Sequence, residues 1–230
     1  MLIYGHRGAS ADHPENTVEA FEAAENQGAD GVELDVRLTV DGVLVVCHDP
    51  VVAGADGTEL VIADAEAGSL PEQVPTLAEA LDACGDLVVN VEIKHGNDEP
   101  GFDPERRLAD LVMEEWSGRG RSPRIIVSSF DFAMIERIRA IDPRVPTGYL
   151  VLAAFQPVDA VQRCIDGGHT ALHPWDPLVD QSVVDRCHEA GLAINVWTVD
   201  DPERIRQLKS WGVDGVVTNR PGFARTALAG

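Results

Sequence analysis

His6-Arg7, Glu33 and Asp35, His48-Asp49, and Glu92 and Lys94 are side chains suited to act as one chemical site. In Gly31–Leu38, the apolar Val32, Leu34, Val36 and Leu38 alternate with Glu33, Asp35 and Arg37. In Leu87–Lys94, Val89, Val91 and Ile93 alternate with Asn90, Glu92 and Lys94. A strand sends alternate side chains to opposite faces, so each run carries one apolar face and one charged face. Charges buried on such a face are costly unless they are paired or bound to a metal. Glu33, Asp35 and Glu92 are oxygen donors suited to one hard divalent cation, Mg²⁺ or Ca²⁺. The competing arrangement is a structural salt-bridge network in which Arg37 and Lys94 neutralise the carboxylates.

Two histidines end apolar runs. Ile3-Tyr4-Gly5 leads into His6-Arg7-Gly8, and Val43–Cys47 leads into His48-Asp49. One histidine at a strand end is usually a hydrogen-bonded structural residue. Two of them beside a carboxylate cluster favour chemistry, because a pair of imidazoles can supply a base and an acid near neutral pH. Arg7 and Lys94 suit an anion, the guanidinium as a planar fork and the ammonium as a point charge.

These residues need a scaffold that presents strand ends side by side. Strands are expected over Leu2–Gly5, Gly31–Leu38, Leu87–Lys94, Arg124–Ser128, Thr147–Leu152, Thr170–His173, Leu192–Trp197 and Val213–Thr218. Helical stretches separate them. Asn16 with Glu19, and Thr76 with Glu79, have the spacing of capping boxes. Asp103-Pro104 and Asp201-Pro202 place a cap before a proline at the first helical position. Gly28-Ala29-Asp30-Gly31-Val32 matches Gly212-Val213-Asp214-Gly215-Val216, each a helix stop feeding a strand. Strands alternating with helices imply a parallel sheet. Units of about thirty residues repeated along the chain imply an α/β fold, a closed (β/α)8 TIM barrel over residues 1–230. An open doubly wound sheet is the alternative, but no G-x-G-x-x-G follows a strand. Residues 49–75 break the rhythm after the run that ends at His48 and are either a short inserted segment or a functional loop.

Composition narrows the partners. Lys and Arg number 18 against 39 Asp and Glu, a formal charge of −21. Such a surface has no basic excess to neutralise nucleic-acid phosphates or to dock on anionic lipid. With 44% hydrophobic residues the chain is expected to fold rather than stay disordered. Cys47, Cys84, Cys164 and Cys187 show neither a C-x-x-C pair nor zinc spacing and read as reduced thiols. No apolar run approaches the roughly 20 residues a spanning helix needs. Polar Gly5-His6-Arg7-Gly8 sits where the apolar part of a signal segment would lie. A cytoplasmic location without stable membrane association is expected.

The ordered set of motifs is specific. His6-Arg7-Gly8, Pro14-Glu15-Asn16-Thr17, Glu33-Leu34-Asp35-Val36, Asp41-Gly42, His48-Asp49, Pro75-Thr76-Leu77, Glu92-Ile93-Lys94, Trp197-Thr198-Val199, Asp214-Gly215 and Thr218-Asn219-Arg220-Pro221 resemble the glycerophosphodiester phosphodiesterases. The resemblance covers nearly the whole chain. It implies a barrel enzyme that hydrolyses small-molecule glycerophosphodiesters to glycerol 3-phosphate and an alcohol. It also implies acid/base roles for His6 and His48 and a divalent metal on Glu33, Asp35 and Glu92. Arg7 and Lys94 fall at phosphate-contacting positions, Glu15 and Asn16 near the mouth, and Trp197 where the family has an aromatic residue near substrate.

After His48-Asp49 the chain reads Pro50-Val51-Val52-Ala53-Gly54, where the family usually continues toward Arg-Thr-Thr. The resemblance implies that this segment covers part of the entrance, so the departure bears on which alcohol is accepted. His13, His95, His169 and His188 fall in expected loops or helices and read as solvated or structural. His173, ending a short strand, is evenly balanced between structure and site. Trp116 and Trp211 read as packing residues, and Trp175 as a weaker candidate than Trp197 for the site wall. Two other activities compete. A lysophospholipase D or sphingomyelinase D-like lipid phosphodiesterase would need an apolar surface for acyl chains, which twelve aromatic residues and a −21 charge disfavour. A Schiff-base aldolase barrel using Lys94 would leave both histidines and the carboxylates unexplained.

Overall fold

Eight parallel strands close on themselves. The computed structural model describes residues 1–54, 56–120, 124–152 and 157–229. The barrel strands are β1 (Leu2–His6), β2 (Gly31–Leu38), β6 (Val88–Ile93), β7 (Ile125–Ser129), β8 (Thr147–Val151), β9 (Ala171–Pro174), β10 (Ala193–Val196) and β11 (Gly215–Thr218). Each pairs in parallel with its neighbours, and β1 closes the circle by pairing with both β11 and β2. The expected (β/α)8 barrel is the observed fold.

Helices α1 (Val18–Asn26), α2 (Leu77–Ala83), α3 (Arg107–Gly118), α4 (Phe132–Ile141), α5 (Pro157–Gly167), α6 (Gln181–Glu189), α7 (Pro202–Trp211) and α8 (Pro221–Ala229) surround it. The apolar face of the strands meets them. Val32, Leu34 and Val36 of β2 and Val89, Val91 and Ile93 of β6 pack in one core with residues of α1 to α4. Ile194, Val196 and Val216 belong to a second core with residues of α5 to α8. The opposite faces leave Asn90, Ser128, His173 and Asn195 buried among the strands. At these positions the barrel interior, normally filled by branched apolar side chains, is polar.

Local signals mostly hold. Thr76 and Glu79 form the reciprocal capping box of α2, Asp201 caps α7, and Gly212 ends α7 at φ 90°, the left-handed region that glycine enters without cost. Two caps differ. Thr17, not Asn16, caps α1 by accepting from the Ala20 amide, which frees the Asn16 side chain for Asp35. Helix α3 begins at Arg107 rather than at Pro104, and Asp103 instead accepts from the Glu105 and Arg107 amides in the preceding turn.

The run leading to His48 also differs. Only Leu44–Val46 forms a strand, β3, and it pairs antiparallel to the end of β2. His48 thus hangs from a hairpin beyond the barrel and not from a barrel strand. Residues 49–75 contain a second hairpin, β4 (Val51–Ala53) with β5 (Glu59–Val61), followed by turns at Ile62–Asp64 and Ala67–Ser69.

Candidate active site

Register brings the carboxylates together. Pairing of β1 with β2 sets His6 beside Glu33, and pairing of β2 with β6 sets Asp35 beside Glu92. Glu33, Asp35 and Glu92 each offer an oxygen within 4.8 Å of the others, and all three are buried. Lys94 Nζ donates to Glu92 Oε1 at 2.7 Å and lies 3.5 Å from Asp35 Oδ1. Arg7 reaches Asp35 Oδ2 through Nε at 3.2 Å and Glu15 through Nη1 at 2.9 Å. The Arg7 backbone amide donates to Glu33 Oε2 at 3.0 Å. Asn16 Nδ2 completes the Asp35 shell at 2.8 Å.

The turn that aims Arg7 depends on its glycine. Gly8 sits at φ 87°, and a β-carbon there would fall 2.6 Å from the Ala20 backbone of α1. No other side chain fits that approach.

Electrostatics in the cluster is uneven. Burial, then the charges of Asp35 and Glu92, push the Glu33 carboxyl well above its ordinary range, against the pull of Arg7. Burial and Asp35 push Glu92 up to about 7, with Lys94 opposing. Burial also acts upward on Asp35, but Lys94, Arg7 and the Asn16 amide outweigh it and hold that carboxyl below its usual value. Glu33 Oε1 and Asp35 Oδ1 are buried without a hydrogen-bond partner. A Glu33 oxygen without a partner and an Asp35 oxygen met only by Lys94 at 3.5 Å, in a buried cluster of three carboxylates, fit a hard divalent cation. Arg37 does not join the cluster; it pairs with Glu99 and with the His48 carbonyl instead. Only the Lys94 half of the alternative salt-bridge network is therefore present.

Both histidines are held by Nδ1. His6 Nδ1 lies 2.7 Å from Asn219 Oδ1. The Asn219 amide nitrogen donates to Asp200 Oδ2 at 2.6 Å, so its oxygen must accept, and the His6 proton sits on Nδ1. His6 Nε2, left bare, is 4.0 Å from Glu33 Oε2. Burial, followed by Arg7, lowers the His6 pKa and favours the neutral ring. His48 Nδ1 pairs with Asp49 Oδ1 at 2.7 Å, and its side chain is 34% exposed.

A cavity of about 260 Å³ joins these groups. Its polar side carries His6, Arg7, Glu33, His48, Glu92 and Lys94, and its apolar side is built by Phe130, Leu150, Leu152, Trp197 and Val217. Trp197 donates its indole N–H to the His173 carbonyl and meets Phe130 edge to face. His173 lines the same cavity, hydrogen-bonded to Asn195, and burial pushes its pKa down to about 4. His95 and His169 are buried in hydrogen bonds to Asp131 and Thr147, His13 is exposed, and His188 pairs with Asp214 at the surface. The Schiff-base alternative for Lys94 finds no support, because its ammonium is tied to Glu92 and Asp35. Burial favours its neutral form, but Glu92 and Asp35 outweigh that and raise its pKa, the reverse of what a Schiff-base nucleophile needs.

Sequence reasoning missed Asp200 as the partner of Asn219, because the Asp200-Asp201-Pro202 run reads as a cap. It also missed Phe130, Leu150, Leu152 and Val217, whose apolar types are the same in a core and in a cleft wall.

The sequence profile of the "Glycerophosphoryl diester phosphodiesterase family" matches residues 6–223. A glycerophosphodiester phosphodiesterase of Caldanaerobacter subterraneus subsp. tengcongensis is 32% identical, over 96% of this chain and 94% of that protein. The solved glycerophosphodiester phosphodiesterase of Thermotoga maritima is 32% identical with a TM-score of 0.83, covering 98% of this chain and 97% of its own. A phosphodiesterase of Oleispira antarctica, solved with the product sn-glycerol-3-phosphate, shares the fold at 24% identity and a TM-score of 0.87, over 100% of this chain and 97% of that one. With a profile match and 32% identity that run nearly from end to end, the chain belongs to the glycerophosphoryl diester phosphodiesterase family.

Proposed function

We propose that the protein hydrolyses glycerophosphodiesters to glycerol 3-phosphate and an alcohol, using His6 and His48 as a proton-transfer pair and one divalent cation held by Glu33, Asp35 and Glu92. The observation that carries this reading is one cavity lined by His6, His48, Glu33 and Glu92, with a carboxylate oxygen of buried Asp35 within 4.8 Å of those of Glu33 and Glu92. A bound Mg²⁺ or Ca²⁺ would act there as Lewis acid and template for the phosphate and glycerol oxygens.

The chain's own groups do the rest. Arg7 and Lys94 bind the phosphoryl oxygens and stabilise charge that grows on them. His6, neutral and with Nε2 bare, takes the proton from the nucleophile as its oxygen bonds to phosphorus, either water directly or the glycerol 2-hydroxyl, whose cyclic phosphate water then opens to glycerol 3-phosphate. His48, paired with Asp49 at the open side, returns a proton to the alcohol oxygen as its bond to phosphorus breaks. Trp197 and the apolar wall exclude water from the other side of the cavity.

Residues 1–230 act as one unit in this reading, with 49–75 as a cover near the entrance. Among the described residues no helix is long and apolar enough to cross a membrane. Cys47, Cys84, Cys164 and Cys187 are all free, as suits a reducing compartment, and we place the enzyme in the cytoplasm acting on soluble, deacylated diesters. The test is glycerol 3-phosphate release from glycerophosphocholine, glycerophosphoethanolamine and a lysophospholipid, with and without chelator. Release from the first two that stops on chelation supports the reading. Turnover of the lysophospholipid alone, or activity untouched by chelation, overturns it.

A further inference from the structure

Arg37 stands on the charged face of β2, two residues beyond Asp35, yet serves none of the carboxylates of the cluster. Its Nε and Nη2 donate to the backbone carbonyl of His48 at 2.9 and 2.5 Å, and its Nη1 donates to Glu99 Oε2 at 2.8 Å. The side chain is 7% exposed. A guanidinium this deep must engage its donors, and Arg37 spends two of them on one carbonyl.

That carbonyl lies where the hairpin has run out of partners. The last backbone bond of the β2–β3 edge is Cys47 N–H to the Asp35 carbonyl at 2.9 Å. Two residues past His48, Pro50 has no N–H to continue a ladder. The next anchor is the Pro50 carbonyl, which accepts from the Ile62 amide at 2.9 Å. Asp49 holds the His48 ring through Nδ1, but it is the chain neighbour of His48 and 73% exposed, so this pair does not tie the hairpin to the barrel. Arg37, by contrast, is rooted in a barrel strand whose other residues include Glu33 and Asp35.

We infer that Arg37 is a positioning residue for His48, a two-pronged clamp that fixes the hairpin backbone to β2 and so sets the imidazole against the carboxylate cluster. The inference rests on reading His48 as a proton donor. A lysine cannot replace the clamp, because a point-charge ammonium lacks the planar fork.

The experiment measures kcat, KM and melting temperature for Arg37→Lys, Arg37→Ala, His48→Ala and the Arg37→Ala/His48→Ala double variant, with glycerophosphocholine at saturating Mg²⁺. Loss of positioning should lower kcat of folded Arg37→Lys by about tenfold or more while KM moves less than about threefold. Millimolar guanidinium ion should restore turnover to Arg37→Ala and none to His48→Ala. If Arg37 acts through His48, the double variant should be no slower than His48→Ala within about twofold. Folded Arg37→Lys with near-wild-type kcat, or multiplicative losses in the double variant, overturns the inference while a slow His48→Ala leaves the His48 reading standing. His48→Ala with near-full turnover overturns that reading and the inference with it. Should Arg37→Ala fail to fold, Arg37→Lys and the Arg37→Lys/His48→Ala pair decide the question in the same way.

Discussion

Asn219 Oδ1 lies 2.7 Å from His6 Nδ1, joining the first barrel strand to the loop after the last across 213 positions of sequence. Asp200 orients the Asn219 amide, so the His6 tautomer is set by a chain of hydrogen bonds that only barrel closure can assemble. His6→Ala should lower kcat by about 10²–10⁴-fold with the fold intact, the usual scale of acid–base catalysis. Asn219→Leu should cost about 10–100-fold through lost orientation. Steady-state kinetics beside circular dichroism checks both, and full turnover in either folded variant would remove that residue from the proposed mechanism.

Glu33, Asp35 and Glu92 should bind one cation. A crystal soaked in Mg²⁺ or Ca²⁺ is expected to show density touching all three, at about 2.0–2.1 Å for Mg²⁺ and about 2.3–2.6 Å for Ca²⁺. Glu92→Gln should weaken binding measured by titration calorimetry. Density elsewhere in the molecule would refute the assignment.

Charge around Lys94 should separate local from global electrostatics. At −21 the surface repels an anionic diester at long range, while Arg7 and Lys94 attract it within the cavity. Physiological salt screens beyond about 8 Å and so weakens the distant acids more than these contacts. Added salt is expected to leave kcat/KM for glycerophosphoglycerol, an anionic diester with no compensating amine, unchanged or slightly higher at saturating metal. Lys94→Met should cost far more than neutralising the exposed Glu136 by Glu136→Gln. A steep fall of wild-type kcat/KM with salt, or equal losses in the two variants, would contradict this picture.

His173 should cost stability in acid. Burial lowers its folded pKa from 6.5 to about 4. Between those values the unfolded chain binds a proton that the folded chain refuses, so its contribution is complete above pH 6.5 and falls as pH drops toward 4. The slope is on the order of 1.4 kcal/mol per pH unit in that window. Urea unfolding of wild type and His173→Gln across pH 4–7 measures it as a difference. A wild-type advantage that stays constant or grows as pH falls would show that the ring is protonated in place.

What the sequence determined by itself is what depends on neighbours along the chain. Alternation in Gly31–Leu38 and Leu87–Lys94 assigned Glu33, Asp35 and Glu92 to the inward face, because a strand leaves each side chain only two sides to choose from. Repeated strand–helix units with glycine stops pointed to a parallel sheet, because parallel neighbours need a crossover helix between them, while closure is seen in β1 pairing with both β11 and β2. Tertiary structure decided which groups meet across the chain. Register, set by barrel closure, brought His6 to Glu33 and Asp35 to Glu92. The same alternation placed Arg37 with the carboxylates, but beyond the hairpin edge its guanidinium found the unpaired His48 carbonyl and Glu99 nearer to hand. Asn16 had the spacing of a cap and became a ligand of Asp35, since the next residue, Thr17, could cap α1 equally well. Short-range periodicity fixes a side chain's direction, while its partner depends on distances that exist only once the barrel has closed.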